Sequence, residues 1–425
     1  MNTKNRHIKS LKFRYSKIIG HSISNHNDVL LVKSMLEENL SKNIGENISL
    51  SSLRRFFGFI PSTNPNRKTL DILSKGIGYV NFLNFCKSEE INTKWKLLEL
   101  IIQIETEKKI TQENILALIN LRNENVLLFS YFIFEIIVKE KFELLNNLFK
   151  NQEILPKERY NIGSVADIIT LAMRQLSKKS VGKLIPYLNS NYLLRNYMIY
   201  YSVDHNSFYG WYMLIIKSNK INKNFDDSLF HELIINTSLF LGGKKINKLR
   251  KVSKHRFTKI HPILLGRYMG LKSIDSRDNH MIFNNVPKGS EILYFYEITT
   301  ILILTKKFSS INKIENLYYE ELLSRNGDTF DDKISIYLIA FSINNLKNNN
   351  NPKLAIKNLE LINFELIVNS YKDYIRLLSF IPYYQIAILN NDNEKALNII
   401  EEYRFLKTKL KFHFFSIKFL KTYFD

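Results

Sequence analysis

At 425 residues, 45% of them hydrophobic and 24% charged, the chain is long enough to bury a sizeable core and too apolar to be disordered. Its 14 Gly and 8 Pro fall well below ordinary usage, which leaves few residues suited to tight turns and favours helix throughout. The formal charge of +21 points to polyanionic partners, although the excess of Lys, Asn and Ile is also what an AT-rich genome produces. Residues 1–20 carry Lys4, Arg6, Lys9, Lys12, Arg14 and Lys17 and no acid. With no apolar run behind those cations, a basic arm over 1–26 is expected rather than a secretory leader, either solvated or lying along phosphates.

A short helix is expected after Ile48, with Ser49 or Ser51 as N-cap, Leu53, Phe56 and Phe57 as its apolar positions and Gly58 ending it. That spacing turns Ser51, Ser52, Arg54 and Arg55 outward. A second helix follows a Pro/Asn-rich turn, with Leu70, Leu73 and Ile77 three and four apart and Gly78 closing it. Paired arginines and small hydroxyls at a helix start suit duplex DNA, where Arg reaches guanine edges or phosphates and Ser bonds phosphate oxygens. Ile48-Ser49, Ser51-Ser52-Leu53, Arg55, Gly58, Pro65, Thr69-Leu70, Leu73-Ser74-Lys75 and Ile77-Gly78 together resemble the third and fourth helices of lambda-repressor/Cro-type helix-turn-helix domains. The resemblance implies a module over about 27–90 that docks in the major groove. Ser51, Ser52, Arg54 and Arg55 would lie on its recognition helix, and Arg67 or Lys68 where the next helix approaches phosphate. It also implies a homodimer, since such modules gain specificity by reading two half-sites. The helix expected at Asp28–Leu40 is followed by SKNIGEN, not the family's tight turn.

Cys86 is the only cysteine, which excludes an internal disulfide. Its neighbours Phe82, Leu83 and Phe85 suggest a small buried thiol in a reducing cytoplasm. The polar stretch 87–94, KSEEINTK, is the best boundary before a helical region spanning 91–425. Val126–Val138 is the most apolar run, too short for a bilayer and broken by Glu135, and reads as a core helix, so no membrane partner is expected.

Lys244, Lys245, Lys248, Arg250, Lys251, Lys254, Arg256 and Lys259 occupy a stretch without Asp or Glu between Leu233 and Ile274. At helical spacing Lys244, Lys248, Lys251 and His255 share one face and Ile246, Leu249 and Val252 lie opposite, which predicts a basic amphipathic helix able to neutralise several phosphates. A solvated face and an acidic or membrane partner are the alternatives. Further on, 336–363 and 383–404 share a pattern in which Tyr337, Ala340 and Ala355 correspond to Tyr384, Ala387 and Ala396, at offsets of 41 to 47 residues. A related pair spans 123–150, with Phe134 and Ile137 in its first helix and Leu144, Leu145 and Leu148 in its second. Such hairpins loosely resemble tetratricopeptide-like repeats, without their Trp-Leu-Gly-Tyr signature, and imply an α-solenoid-like array that binds a protein or peptide. An irregular bundle is the alternative.

Catalytic chemistry is hard to find. Gly242-Gly243-Lys244 lacks the spacing of a phosphate loop and reads as a helix break. Asn326-Gly327-Asp328 with Asp331-Asp332 misses the alternation of a calcium loop. His205 beside Asp204, and His261-Pro262, offer no metal-ligand spacing, and the aromatic segments 191–201 and 208–212 read as core. The expectation is an all-α, non-enzymatic DNA-binding regulator without cofactor or metal, whose helical region senses or recruits a partner. A non-catalytic scaffold, or an RNA binder using the 244–259 stripe, are the alternatives.

Overall fold

Apolar residues at 8, 11 and 15 share one face of a helix, and that spacing decides what the basic N-terminus does. In the computed structural model, which describes residues 3–41, 47–61, 65–107, 110–122, 125–154, 159–200, 203–218, 225–276, 280–324 and 331–425, Thr3–Ile18 is helix α1. Ile8, Leu11 and Tyr15 enter a core with Val29, Val32 and Leu36 of α2 (His26–Ser41) and Leu53 and Phe56 of α3 (Leu50–Phe57). Leu70, Ile72 and Leu73 of α4 (Arg67–Gly76) and Phe85 of α5 (Phe82–Glu107) complete it. The Tyr15 hydroxyl donates to the Leu73 carbonyl at 2.6 Å. A Cβ on Gly76 would stand 2.0 Å from Leu36 Cδ2, so α4 reaches α2 only because residue 76 has no side chain. Arg14 donates to Glu89 Oε1 at 2.6 Å, and the Ser10 hydroxyl bonds the same carboxylate. The expected loose arm is therefore a structural helix. Helix α5 runs unbroken through 87–94, where a boundary was expected, and α6 (Gln112–Arg122) packs on it.

The chain divides into two units, Met1–Phe129 and Ser130–Asp425, with the division inside α7 (Val126–Val138). The second unit continues through α8 (Phe142–Leu148), α9 (Arg159–Gln175), α10 (Lys178–Ser190), α11 (Tyr192–Arg195), α12 (Met213–Ser218), α13 (Phe225–Leu241), α14 (Pro262–Ser273) and α15 (His280–Phe283). It ends with α16 (Glu291–Leu304), α17 (Phe308–Ser324), α18 (Asp331–Lys347), α19 (Pro352–Glu360), α20 (Lys372–Leu389), α21 (Asn393–Leu410) and α22 (Ile417–Lys421). Every regular element among the described residues is helical, so the fold is all-α.

One turn recurs in it. Glu140, Lys306, Asn350 and Asn391 all have positive φ, 55°, 57°, 46° and 54°, and each ends the first helix of a hairpin. The next residue, Lys141, Lys307, Asn351 or Asp392, accepts from the amide four positions on, that of Leu145, Ile311, Ala355 or Ala396. All four of those are buried. Left-handed backbone is uncommon outside glycine, so four non-glycine cases in one register mark a shared turn, formed by α7–α8, α16–α17, α18–α19 and α20–α21. Ala355 and Ala396 thus occupy equivalent places, as their sequence context suggested; Tyr337, Ala340, Tyr384 and Ala387 are buried too, but the first two lie about two helical turns farther from their turn residue than the second two do, so that expected correspondence does not hold.

Two buried polar assemblies tie distant parts of this unit together. Arg174 of α9 donates to both oxygens of fully buried Asp204, at 3.0 and 2.6 Å, and to the Asn369 carbonyl at 3.1 Å. Trp211 Nε1 donates to Asp204 at 3.0 Å. Where α14 crosses α16, Arg267 donates to Glu297 at 3.1 and 2.7 Å, and a Cβ on Gly266 would meet the Tyr294 carbonyl oxygen at 2.1 Å.

The His205 ring lies between Phe208 (5.5 Å, 9°) and Tyr374 (4.7 Å, 2°), so it is a core residue. Burial, with the Arg267 charge, holds its pKa down at about 3, and burial holds His231 at about 4. Both are neutral when folded, whereas the unfolded chain takes up their protons below about 6.5. Their contribution to stability is therefore complete above pH 6.5 and lost as pH falls from there toward 4. Thermal melts should show a lower Tm for the 130–425 unit at pH 5.0 than at 7.5, reduced in His205→Gln; a pH-independent Tm would show that these rings are not buried neutral.

Candidate nucleic-acid interface

Helix α3 is defined at both ends by its own sequence. Ser49 Oγ accepts from the Ser52 amide at 3.1 Å and lies 3.0 and 2.8 Å from the Ser51 and Ser52 hydroxyls. Gly58, at φ 93°, closes the other end, with its amide and that of Phe59 donating to the Arg54 carbonyl at 3.1 and 2.8 Å. Leu53 and Phe56 fix the helix to the core, which leaves Ser51 and Arg55 exposed and Ser52 and Arg54 half-buried. The two arginines are not equivalent: Arg54 Nε is buried without a hydrogen-bond partner, and Arg55 is the outward one.

Helix α4 starts with Asn66 Oδ1 accepting from the Thr69 amide at 2.8 Å, and it exposes Arg67 and Lys68. Arg67 lies 3.9 Å from Asp71 with its side chain 83% exposed, a pairing too weak in water to occupy the guanidinium. No acid occurs from Asn47 through Leu70. A further cation comes from α1, where Lys12 Nζ sits 5.3 Å above the Phe56 ring of α3. Burial, then the neighbouring Lys9, push the Lys12 amine below its ordinary value. Sequence reading left Lys9 and Lys12 in the arm; the spacing of Ile8, Leu11 and Tyr15 was the signal that α1 carries them to this face.

The second basic region differs from its expected form. Residues 244–253 take no regular structure and 254–259 make a 3-10 turn, so the predicted amphipathic helix is not formed. Lysines at helical i, i+4 and i+7 positions repel one another, and Gly242-Gly243 ends α13 ahead of them. The irregular segment is held on α13 by residues four apart. Asn236 Oδ1 accepts from the Asn247 amide at 2.6 Å, Glu232 accepts from the Arg250 amide at 2.7 Å, and Ser228 Oγ accepts from Arg250 at 2.8 Å. Arg250 also ion-pairs with Glu232 through its side chain and is a structural residue. Lys244, Lys245, Lys248, Lys251, Lys254, Arg256 and Lys259 remain exposed, with Arg256 stacked 4.4 Å over Phe225. The Phe414 amide donates to the Leu241 carbonyl at 3.0 Å, bringing the chain that carries exposed Lys411 and His413 against Gly243, next to Lys244 in sequence. Those two lie about 170 residues downstream of Lys244, and nothing in their local pattern signalled the pairing.

Elsewhere in this unit a cavity of about 20 Å³ among His205, Arg267, Glu297, Tyr371 and Tyr374 has room for a water-sized occupant. Asn326, Gly327 and Asp328 lie outside the described residues, as do the side chains of Asp331 and Asp332. Among the described residues no cluster of three His, Cys, Asp or Glu could hold a metal, and no helix is long and apolar enough to cross a membrane. Cys86 is half-buried, less enclosed than its neighbours suggested. No protein family, curated protein or solved structure matches the chain.

Proposed function

We propose that this protein is a DNA-binding regulator in which α3 reads duplex DNA and the start of α4 contacts phosphate. The hairpin-rich 130–425 unit would recruit a partner and add a phosphate-binding surface along 244–259. The observation that carries this reading is the outward Ser51–Arg55 edge of a capped helix, seated on a five-helix core, with Lys12 over its Phe56, exposed Arg67 and Lys68 opening the next helix, and no acid from 47 to 70. Arg55 has the exposure to reach base edges, while Arg67, Lys68 and the lysines of 244–259 suit backbone phosphates.

Fluorescence anisotropy with selected duplexes tests the assignment. Log affinity should fall steeply with log salt, by a slope of roughly 0.9 for each phosphate neutralised. Arg55→Ala should weaken the selected site by about 1–3 kcal/mol and relax its sequence preference, with a smaller effect for half-buried Arg54→Ala. No binding at about 50 mM salt would remove nucleic acid altogether. Binding that ignores Arg55 but collapses when Lys244, Lys245 and Lys248 become Glu would move the activity to the 244–259 segment and favour the RNA reading.

A further inference from the structure

Helix α5 is apolar on two sides, and the fold uses one of them. Leu97, Ile101 and Ile104 are buried. Ile91, Trp95 and Ile102, which with half-buried Leu98 lie within about 60° of one another around the helix, are 53%, 60% and 54% exposed. Single exposed hydrophobics are ordinary, but a contiguous row with an open tryptophan in it is the mark of an interface. The spacing of 91, 95, 98 and 102 is four, three, four, which is the a/d repeat of a two-stranded coiled coil.

We infer that this seam joins two copies of the chain in parallel about a twofold axis. The charges beside the seam select the occupant and its direction. Lys94 flanks the row on one side and Glu99 on the other, both exposed and neither in an ion pair among the described residues. With Ile91 and Leu98 at d and Trp95 and Ile102 at a, Lys94 falls at g and Glu99 at the following e. In a parallel pair g of one helix faces the following e of its partner, so Lys94 meets Glu99 of the second copy twice. In an antiparallel pair Lys94 would face Lys94 and Glu99 would face Glu99. The surface is thus complementary to itself in one orientation, as a twofold interface requires. This inference stands apart from the DNA reading, because association is measured without nucleic acid.

Sedimentation velocity of the full chain should show a species of twice the 50.2 kDa chain mass at micromolar concentration. Trp95→Glu should raise its dissociation constant about 30-fold or more while leaving the circular dichroism melt of the monomer intact. Lys94→Glu should weaken association about threefold to tenfold by placing like charges across the seam, and Lys94→Glu combined with Glu99→Lys should restore it. A chain that stays monomeric at about 50 µM, or a dimer indifferent to Trp95→Glu, would overturn the interface. A double swap that fails to restore what the single swap lost would overturn the parallel pairing.

Discussion

Replacing Glu297 with alanine is expected to destabilise the Ser130–Asp425 unit by about 3–5 kcal/mol, because it strands the Arg267 guanidinium in the interior. Arg267 is 4% exposed, and both of its carboxylate bonds go to Glu297. The adjoining cavity admits only a water-sized molecule, too little to rehydrate a full charge. A guanidinium stays protonated throughout the range in which proteins fold, so Arg267 does not shed its charge when the partner goes. Combining Arg267→Met with Glu297→Leu removes both charges and should recover most of the loss. Urea denaturation read from Trp211, in a Trp95→Phe background that silences the other unit, separates these outcomes. A single variant that loses under 1 kcal/mol, or a double variant no better than the single, would mean the pair is not sealed from water.

Gly266→Ala should cost the same unit about 3 kcal/mol, although alanine is the better helix former by about 1. Its methyl would sit 2.1 Å from the Tyr294 carbonyl oxygen, a backbone atom that moves only if α16 moves. Four residues on, a Cβ at Gly270 would stand 3.1 Å from Ile301 Cγ1, so the helices cannot tilt apart at one end without strain at the other. Gly182, inside α10 with nothing within 4 Å of its would-be Cβ, is the internal control: alanine there should stabilise by about 0.5–1 kcal/mol. Equal behaviour at 266 and 182 would refute the close crossing.

What the sequence made legible was set by local chemistry. Scarce Gly and Pro indicated an all-α chain, and the Ser49 cap and Gly58 end of α3 were readable because capping is decided within a few residues. The turns at Asn350 and Asn391 stood out as Asn-rich, and the break at Glu140 from the apolar runs on either side of it; that at Lys306 did not, since nothing about Lys announces left-handed backbone. Reading failed where a distant partner outweighed the local pattern. The basic segment has a good helical face, but Glu232 and Asn236 offer its amides a non-helical alternative that spares the lysines from one another. The N-terminal cations drew attention from Ile8, Leu11 and Tyr15, which govern α1. The polar stretch 87–94 looked like a linker because its role, receiving Ser10 and Arg14 at Glu89, depends on residues some 75 positions away.

The clasp around Asp204 has a consequence for the order in which the molecule assembles. Each helix hairpin closes over a few residues, so hairpins form early and at little entropic cost. Arg174 is different: its last acceptor is the Asn369 carbonyl, and Asn369 in turn donates to Asp167 at 3.1 Å, across 195 and 202 residues of chain. During synthesis α9 therefore lacks the two bonds that Arg174 and Asp167 make to Asn369 until the chain just before α20 has emerged. The register of the larger unit is locked by its penultimate portion, and completion of the chain, not of any one hairpin, is the event that makes this unit cooperative.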